Sequence, residues 1–158
     1  MPRALRPGTC LPERRPAAPW LRRRCRKCER AMSDCDLVLV VDDDIAVRDA
    51  LVMLLESCGW TARGYASARE LLAQGMPRER RCCLVVDQSM PQMTGLELVT
   101  VLRSRGCRTP VILVTGLVDG RMRIRRAAAD LGVADTLDKP IDTDELERAI
   151  AAALAASV

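Results

Sequence analysis

From residue 37 onwards, short runs of apolar residues alternate with stretches in which apolar residues recur at helical spacing. The runs at 37–41 and 82–86 are wholly apolar, which is typical of strands buried on both faces, as in parallel sheets. Shorter strands are predicted at 60–65, 111–114 and 133–137. The chain therefore contains five candidate strands, and a polar turn and a helical pattern follow each of them.

The helical segments carry recognisable start and stop signals. In the first segment, Asp44 is a candidate N-cap and Gly59 ends the helical spacing. In the second segment, Ser67 and Glu70 predict a capping box for a helix that runs to Gln74. The remaining helices are predicted at 95–104, at 119–130 and after a cap formed by Asp142 and Glu145.

Strands that alternate with helices predict an α/β domain. Each helix would connect two parallel strands, and right-handed crossovers would place helices on both faces of the sheet. In folds of this kind, ligands bind beyond the carboxyl ends of the strands. The polar residues that follow the strands are therefore the first candidates for chemistry.

The composition narrows that chemistry. The chain has no His, which excludes a His-based hydrolase and a His-ligated metal site. It has no Phe and only three other aromatic residues, so an aliphatic core is expected and a surface that stacks nucleic-acid bases is not. Cys58, Cys82 and Cys83 lie in apolar surroundings and are expected to be small core residues.

Residues 1–33 are expected to form a basic disordered arm, followed by one domain at 34–158. Residues 1–31 hold five of the nine prolines and ten basic residues against two acidic ones, whereas the rest of the chain has a net charge of −4. Met32 is an alternative initiator, in which case the arm would lie upstream of the protein. The arm has two alternative functions: non-specific nucleic-acid binding, and a zinc site built from Cys25, Cys28, Cys10 and Cys35.

Charged and hydroxyl-bearing residues follow four of the predicted strands. Asp42 and Asp43 follow the first strand, Asp87 the third, Thr115 the fourth and Lys139 the fifth. Since the carboxyl ends of parallel strands meet at one edge of a sheet, these side chains are expected to converge. Three neighbouring carboxylates repel each other, and a hard cation such as Mg²⁺ relieves the repulsion. A lysine and a hydroxyl would suit a phosphoryl group, which a carboxylate can accept.

Together these motifs resemble the signature of response-regulator receiver domains. The most specific part is the Asp-x-x-Met-Pro-x-Met-x-Gly stretch at 87–95. The resemblance implies a three-layer flavodoxin-like fold, with a five-stranded parallel sheet in the order 2-1-3-4-5. The receiver halves of nitrogen-fixation-type regulators look most similar. The other motifs that carry the resemblance are Val41-Asp42-Asp43, Val114-Thr115-Gly116 and Lys139-Pro140.

The resemblance also implies a role for each residue of the predicted site. Asp87 would accept a phosphoryl group from the phosphohistidine of a sensor histidine kinase or a phosphotransfer protein. Asp43, Asp87 and the backbone carbonyl of Ser89 would bind Mg²⁺, while Asp42 would act mainly through a bound water. The lysine would be joined to its proline by a cis bond. The phosphoryl group would also contact the side chains of Thr115 and Lys139.

The implied function is a single-domain, cytoplasmic response regulator that signals by binding a downstream protein and is not an enzyme in the usual sense. The sequence has no apolar run of membrane length, and we expect neither a signal peptide before the domain nor a DNA-binding domain after the last helix. Small residues at 149–156 would allow two copies to pair as a homodimer. Thr136 stands where the family usually has Tyr or Phe, and this leaves the usual threonine-to-aromatic coupling without its aromatic partner.

Two other functions compete with this one. A receiver-like adaptor could bind partners without phosphorylation, and Thr136 keeps that alternative open. Haloacid-dehalogenase-type phosphatases also place Asp, Thr and Lys at strand ends, but they need a further acidic pair, and only 19 residues follow Lys139. A basic face on the fourth helix is expected to be solvated, with partner binding as the alternative. That face consists of Arg121, Arg123, Arg125 and Arg126.

Overall fold

The structure is a computed structural model that describes residues 36–77, 81–116 and 120–157. The predicted arm, its zinc and nucleic-acid alternatives and the second start site lie outside the described residues. The described part alternates strands and helices in this order: β1 (Leu37–Val41), α1 (Ile45–Ser57), β2 (Thr61–Tyr65), α2 (Ala68–Gln74), β3 (Cys82–Asp87), α3 (Gly95–Ser104), β4 (Val111–Thr115), α4 (Arg121–Asp130), β5 (Asp135–Asp138) and α5 (Thr143–Ala155).

All five strands are parallel, and they lie in the order β2-β1-β3-β4-β5, which confirms the predicted fold class. Every residue of β1, β3 and β4 is buried, as their continuous apolar sequences predict. The register pairs Val41 with Val86, Asp87 with Val114, and Thr115 with Asp138. The residues that follow β1, β3 and β5 therefore emerge at the same edge of the sheet.

Alternate strand residues pack into two apolar layers, one on each face of the sheet. In β1, Leu39 and Val41 join the layer that includes α2 and α3, whereas Val38 and Val40 join the layer that includes α1 and α5. The core is not wholly aliphatic, because Tyr65 at the end of β2 is fully buried. This corrects the expectation drawn from the scarcity of aromatic residues.

Two of the three predicted cysteines are core residues. Cys82 and Cys83 are buried on opposite faces of β3. Cys58 is only half-buried, because it is the C-cap of α1. Its thiol lies where the helix ends, so it does not pack inside the core as predicted.

Helix caps follow the predictions with one correction. The Asp44 side chain accepts hydrogen bonds at the start of α1, and the Asp142 side chain accepts one from Glu145 N at the start of α5. Ser67 caps α2, but the Glu70 carboxylate accepts a hydrogen bond from the N–H group of Ala66, one residue before the predicted partner. The complete capping box lies instead at α3, between Thr94 and Glu97.

Two strands start later than the sequence predicts. Trp60 N–H donates to Leu55 O at the end of α1, so β2 begins at the next residue. Val133 N–H donates to Ala128 O in the same way, and β5 begins at Asp135. In both cases the apolar residue that continues the strand pattern completes the end of the preceding helix.

Gly95, the first residue of α3, leaves no room for a side chain. A Cβ atom there would lie 2.7 Å from Leu113 Cδ1 and 2.8 Å from the backbone oxygen of Asp87. The strand backbone cannot retreat without loss of sheet hydrogen bonds. We therefore expect Gly95→Ala to lower the free energy of unfolding by about 1–3 kcal/mol, measured by urea denaturation.

Gly116→Ala is the matched control for this substitution. Its Cβ atom would come no closer than 3.7 Å to the Lys139 side chain, which is an ordinary contact. We expect the free energy of unfolding to change by less than about 0.5 kcal/mol. Equal losses in the two variants would show that the close approach of Gly95 to β3 is not the cause.

Candidate functional site

Three carboxylates meet at the carboxyl edge of the sheet. Asp42 and Asp43 follow β1, Asp87 ends β3, and one carboxylate oxygen of each residue lies within 4.8 Å of the other two. Asp42 and Asp87 are buried, at 3% and 5% exposure, whereas Asp43 is exposed. The parallel register that ends β1 and β3 at the same level creates this cluster, as the sequence predicts.

Lys139 extends from the end of β5 to the two buried carboxylates. Its Nζ atom lies 2.9 Å from Asp87 Oδ1 and 3.5 Å from Asp42 Oδ2, and its side chain is 32% exposed. The backbone N–H of Lys139 donates to Thr115 O over 2.9 Å, which fixes the lysine beside β4. The bond from Lys139 to Pro140 is cis, as the resemblance implied.

The backbone of the two turns orients both buried carboxylates. Asp44 N–H donates to Asp42 Oδ1 over 2.9 Å, and Ser89 N–H donates to Asp87 Oδ2 over 3.0 Å. Within the described part of the chain, Asp87 Oδ1 accepts no hydrogen bond of good geometry, although the Lys139 charge lies beside it. Among the described residues, the Lys139 ammonium is therefore the partner of this Asp87 oxygen.

Burial and charge oppose each other in the pKa values of this cluster. Burial raises the pKa of Asp42 above its ordinary value, and the Asp44 hydrogen bond and the Lys139 charge only partly offset this effect. Burial lowers the pKa of Lys139, but the carboxylates of Asp87 and Asp42 outweigh burial, so the net pKa is raised. The lysine therefore stays cationic while one of its carboxylates loses its charge more readily than usual.

The donor set fits Mg²⁺. The side chains that could bind the metal all offer carboxylate oxygens, which are the ligands that Mg²⁺ prefers, and Asp87 contributes one of them. The exposed carboxylate of Asp43 leaves one side of the cluster open to solvent, as a metal that keeps several waters requires. Ser89 lies two residues beyond Asp87 with its N–H turned to that carboxylate, and metal binding by its carbonyl stays a prediction.

Thr115 ends β4 and is 1% exposed. It lies at the same edge of the sheet, since its carbonyl accepts the N–H of Lys139. The structure therefore brings the threonine backbone next to the lysine. Contact between its hydroxyl and a phosphoryl group stays a prediction.

Sequence reasoning missed two residues that position the site. Arg48 Nη1 donates to the backbone oxygen of Asp42 over 2.9 Å. Gln88 is buried, and its side chain accepts the N–H of Leu96 over 3.1 Å, which joins the loop after β3 to the start of α3. A basic residue near the start of a helix, where acidic residues are favoured, was the only local signal for Arg48.

Two of the four arginines of α4 form ion pairs with Asp138, the last residue of β5 and the neighbour of Lys139. Asp138 Oδ2 lies 3.1 Å from Arg121 Nη1 and 3.2 Å from Arg125 Nη2. A surface cleft of about 210 Å³ lies between α4 and β5, beside Thr136. It is lined by Arg125, Ala128, Ala129, Val133, Asp135 and Thr136.

The sequence is similar to known proteins over most of the described residues. The family model of the response regulator receiver domain matches residues 38–151. The chain belongs to this family. Over 120 residues it is 42% identical to the transcriptional regulatory protein FixJ of Azorhizobium caulinodans, and the match covers 76% of this chain and 56% of FixJ. Nodulation protein W of Bradyrhizobium diazoefficiens is 38% identical over 117 residues, covering 74% of the chain and 50% of that protein.

The fold of this receiver domain is also similar to a solved relative. The structure of FixJ-N superimposes with a TM-score of 0.68 at 31% identity, and the match covers 78% of this chain and 96% of FixJ-N. The chain spans about half the length of the curated relatives it matches. Receiver domains of two-component systems interact with histidine kinases and bind Mg²⁺ at an acidic cluster. None of the described helices is long and apolar enough to cross a membrane.

Lys139→Gln tests the charge balance of the cluster. Without the ammonium, two buried carboxylates repel each other, so we expect the pKa of Asp42 to rise further and the free energy of unfolding to fall by about 1–2 kcal/mol at neutral pH without divalent metal. Because protonation of Asp42 removes the repulsion, the loss should shrink towards about pH 4. NMR titration of the carboxyl carbons and urea denaturation measure these quantities.

Arg125→Gln is the control, because it removes an ion pair in which the arginine side chain is 48% exposed. We expect this variant to lose less than about 0.5 kcal/mol, with little dependence on pH. A Lys139→Gln variant that matched this control would contradict the charge balance described above.

Proposed function

We propose that this receiver domain is a phosphorylation-controlled switch in which Asp87 accepts a phosphoryl group. The donor would be the phosphohistidine of a sensor histidine kinase or of a phosphotransfer protein. The observation that carries the proposal is the buried Asp87 Oδ1 atom, which lies 2.9 Å from Lys139 Nζ and has no other partner within the described residues. A nucleophile and the cation that would neutralise its product are thus already adjacent.

In the proposed transfer, a carboxylate oxygen of Asp87 attacks phosphorus while the bond from phosphorus to the donor's histidine nitrogen breaks. The Lys139 ammonium neutralises charge on the transferred group, and the Thr115 hydroxyl donates a hydrogen bond to one of its oxygens. Mg²⁺ bound by Asp43, Asp87 and the carbonyl of Ser89, and by Asp42 through water, would neutralise further phosphoryl charge. Slow hydrolysis of the aspartyl phosphate would reset the switch without making the protein an enzyme in the usual sense.

The output of the switch would be a change in binding to a downstream protein. A receiver-like adaptor without phosphorylation remains the second candidate, since Thr136 and the cleft beside it replace the usual aromatic residue. The family match over residues 38–151 favours a receiver domain over the phosphatase alternative.

Acetyl phosphate with Mg²⁺ tests the acceptor directly. We expect intact mass spectrometry to show the addition of one phosphoryl group, because Asp87 needs only a reactive phosphoryl donor and a neutralised pocket. Asp87→Asn should remove the addition, and so should a metal chelator. Asp44→Asn is the matched control: the asparagine still caps α1, and the addition should remain.

The acetyl phosphate assay can also favour the receiver-like adaptor that acts without phosphorylation. Wild-type protein that gains no phosphoryl group in saturating acetyl phosphate and Mg²⁺, while it remains folded by circular dichroism, would contradict the switch. Addition that persists undiminished in Asp87→Asn would contradict the assignment of the acceptor residue.

Metal binding is expected to depend on the exposed carboxylate of the cluster. Asp43→Asn should weaken Mg²⁺ binding roughly tenfold or more in calorimetric titration, because an amide oxygen replaces a charged ligand. In the absence of metal, the same variant should be at least as stable as the wild type, since one of three repelling carboxylates has gone. Asp44→Asn should leave Mg²⁺ affinity within about twofold, and equal losses in both variants would exclude Asp43 as a ligand.

A further inference from the structure

The edge of the sheet opposite the acidic cluster carries two thiols that share one hydroxyl group. Cys82 begins β3 and is buried, whereas Cys107 lies between α3 and β4 and is half-buried. Cys107 Sγ donates to Thr109 Oγ1 over 3.3 Å, and Cys82 Sγ lies 3.8 Å from the same oxygen. The two sulfur atoms are therefore no farther apart than these two distances combined, and both side chains contact the same apolar layer.

Hydrogen bonds to backbone atoms hold the loop that carries Cys107 in place. Arg103 Nη1 donates to the carbonyl oxygens of Cys107 and Thr109 over 2.9 Å and 3.0 Å, and Arg103 Nε donates to Leu131 O over 3.0 Å. Cys107 N–H donates to Leu102 O at the end of α3. The half-buried thiol is thus presented to β3 at a defined position.

We propose that Cys82 and Cys107 form a peroxide-sensitive thiol pair that closes to an intramolecular disulfide. Hydrogen peroxide would oxidise the more exposed Cys107 thiol to a sulfenic acid, releasing one water. The Cys82 sulfur then attacks the sulfenic sulfur, the S–O bond breaks, and the Cys82 proton leaves with the hydroxyl group as a second water. Two thiols and one peroxide thereby give one disulfide and two waters.

Thr109 is positioned to assist this step. Its hydroxyl contacts both sulfur atoms, so it can accept a hydrogen bond from one of them and donate one to the other. A disulfide requires a sulfur–sulfur distance of about 2 Å, so the loop at 105–109 must move towards β3 as the bond forms. This movement would loosen the Arg103 hydrogen bonds to the Cys107 and Thr109 carbonyls, while Pro110 O keeps its hydrogen bond from Leu84 N–H in the sheet.

The neighbouring cysteines provide the contrast that makes the pair specific. Cys83 follows Cys82 in β3 but belongs to the apolar layer on the other face of the sheet. Cys58 lies at the end of α1, next to Ser57. Neither shares the Thr109 hydroxyl, so among the four described cysteines a disulfide that involves Cys107 should select Cys82.

Peptide mapping of the full chain tests the proposal. After treatment with hydrogen peroxide, alkylation of free thiols and digestion with trypsin, we expect a cross-linked peptide that joins 82–103 to 106–108. Cys82→Ser and Cys107→Ser should abolish it, whereas the matched control Cys83→Ser should retain it. Thr109→Val should slow its formation severalfold, and circular dichroism verifies that each variant is folded.

Two results would overturn the thiol pair. The first is wild-type protein in which Cys107 is oxidised to sulfinic acid and no cross-linked peptide forms. The second is a cross-link that survives in Cys82→Ser, which would show that Cys83 is the partner. The assay contains neither acetyl phosphate nor Mg²⁺, so its outcome is independent of the proposed phosphoryl transfer at Asp87.

Discussion

The central constraint in this protein is an incomplete balance of charge. Two buried carboxylates, Asp42 and Asp87, lie against the single ammonium of Lys139, and the exposed Asp43 carboxylate adds to the excess. Isolated from the sheet, these groups would separate, because like charges at such distances repel strongly where water is scarce. They stay together because β1 and β3 pair along their whole length, so separation would require breaking the backbone hydrogen bonds of the central ladder.

The turns beyond these strands convert that proximity into a directed site. In each buried carboxylate, one oxygen accepts a backbone N–H from the residue two positions later, and the other oxygen lies towards the lysine. The same geometry requires Gly95, since the start of α3 approaches the backbone of Asp87 too closely for a Cβ atom. The start of α3, the loop after β3 and the end of β3 are therefore fixed to each other around Asp87, the residue proposed to accept the phosphoryl group. Stability of the fold and orientation of the site depend on the same contacts.

The sequence predicted the convergence of the site because parallel strands of matched register must end at one edge. It predicted the bounds of α3, and those of β3 to within one residue, because a full apolar run and the residues from Gly95 onwards mark these elements locally. It was wrong where one residue could serve two elements: Trp60 and Val133 continue a strand pattern, yet their N–H groups bind helix carbonyls. Contacts made by side chains with a distant backbone, such as Arg48 with the Asp42 carbonyl, leave no periodic pattern to detect.

Among the described helices, α4 buries the fewest residues, and it lies next to the strand that leads to the acidic cluster. Helix α4 buries only Ala128, whereas α5 buries five residues, and the ion pairs that join α4 to Asp138 are half-exposed. Exposed ion pairs contribute about 0–1 kcal/mol each, so little free energy holds α4 in place. Asp138 and Lys139 are consecutive, so the contacts of α4 and those of the acidic cluster share one stretch of backbone. With Thr136 in place of a ring, contacts between α4 and β5 depend on charge more than on aromatic packing, and the fewest buried residues and two half-exposed ion pairs hold this helix against the sheet.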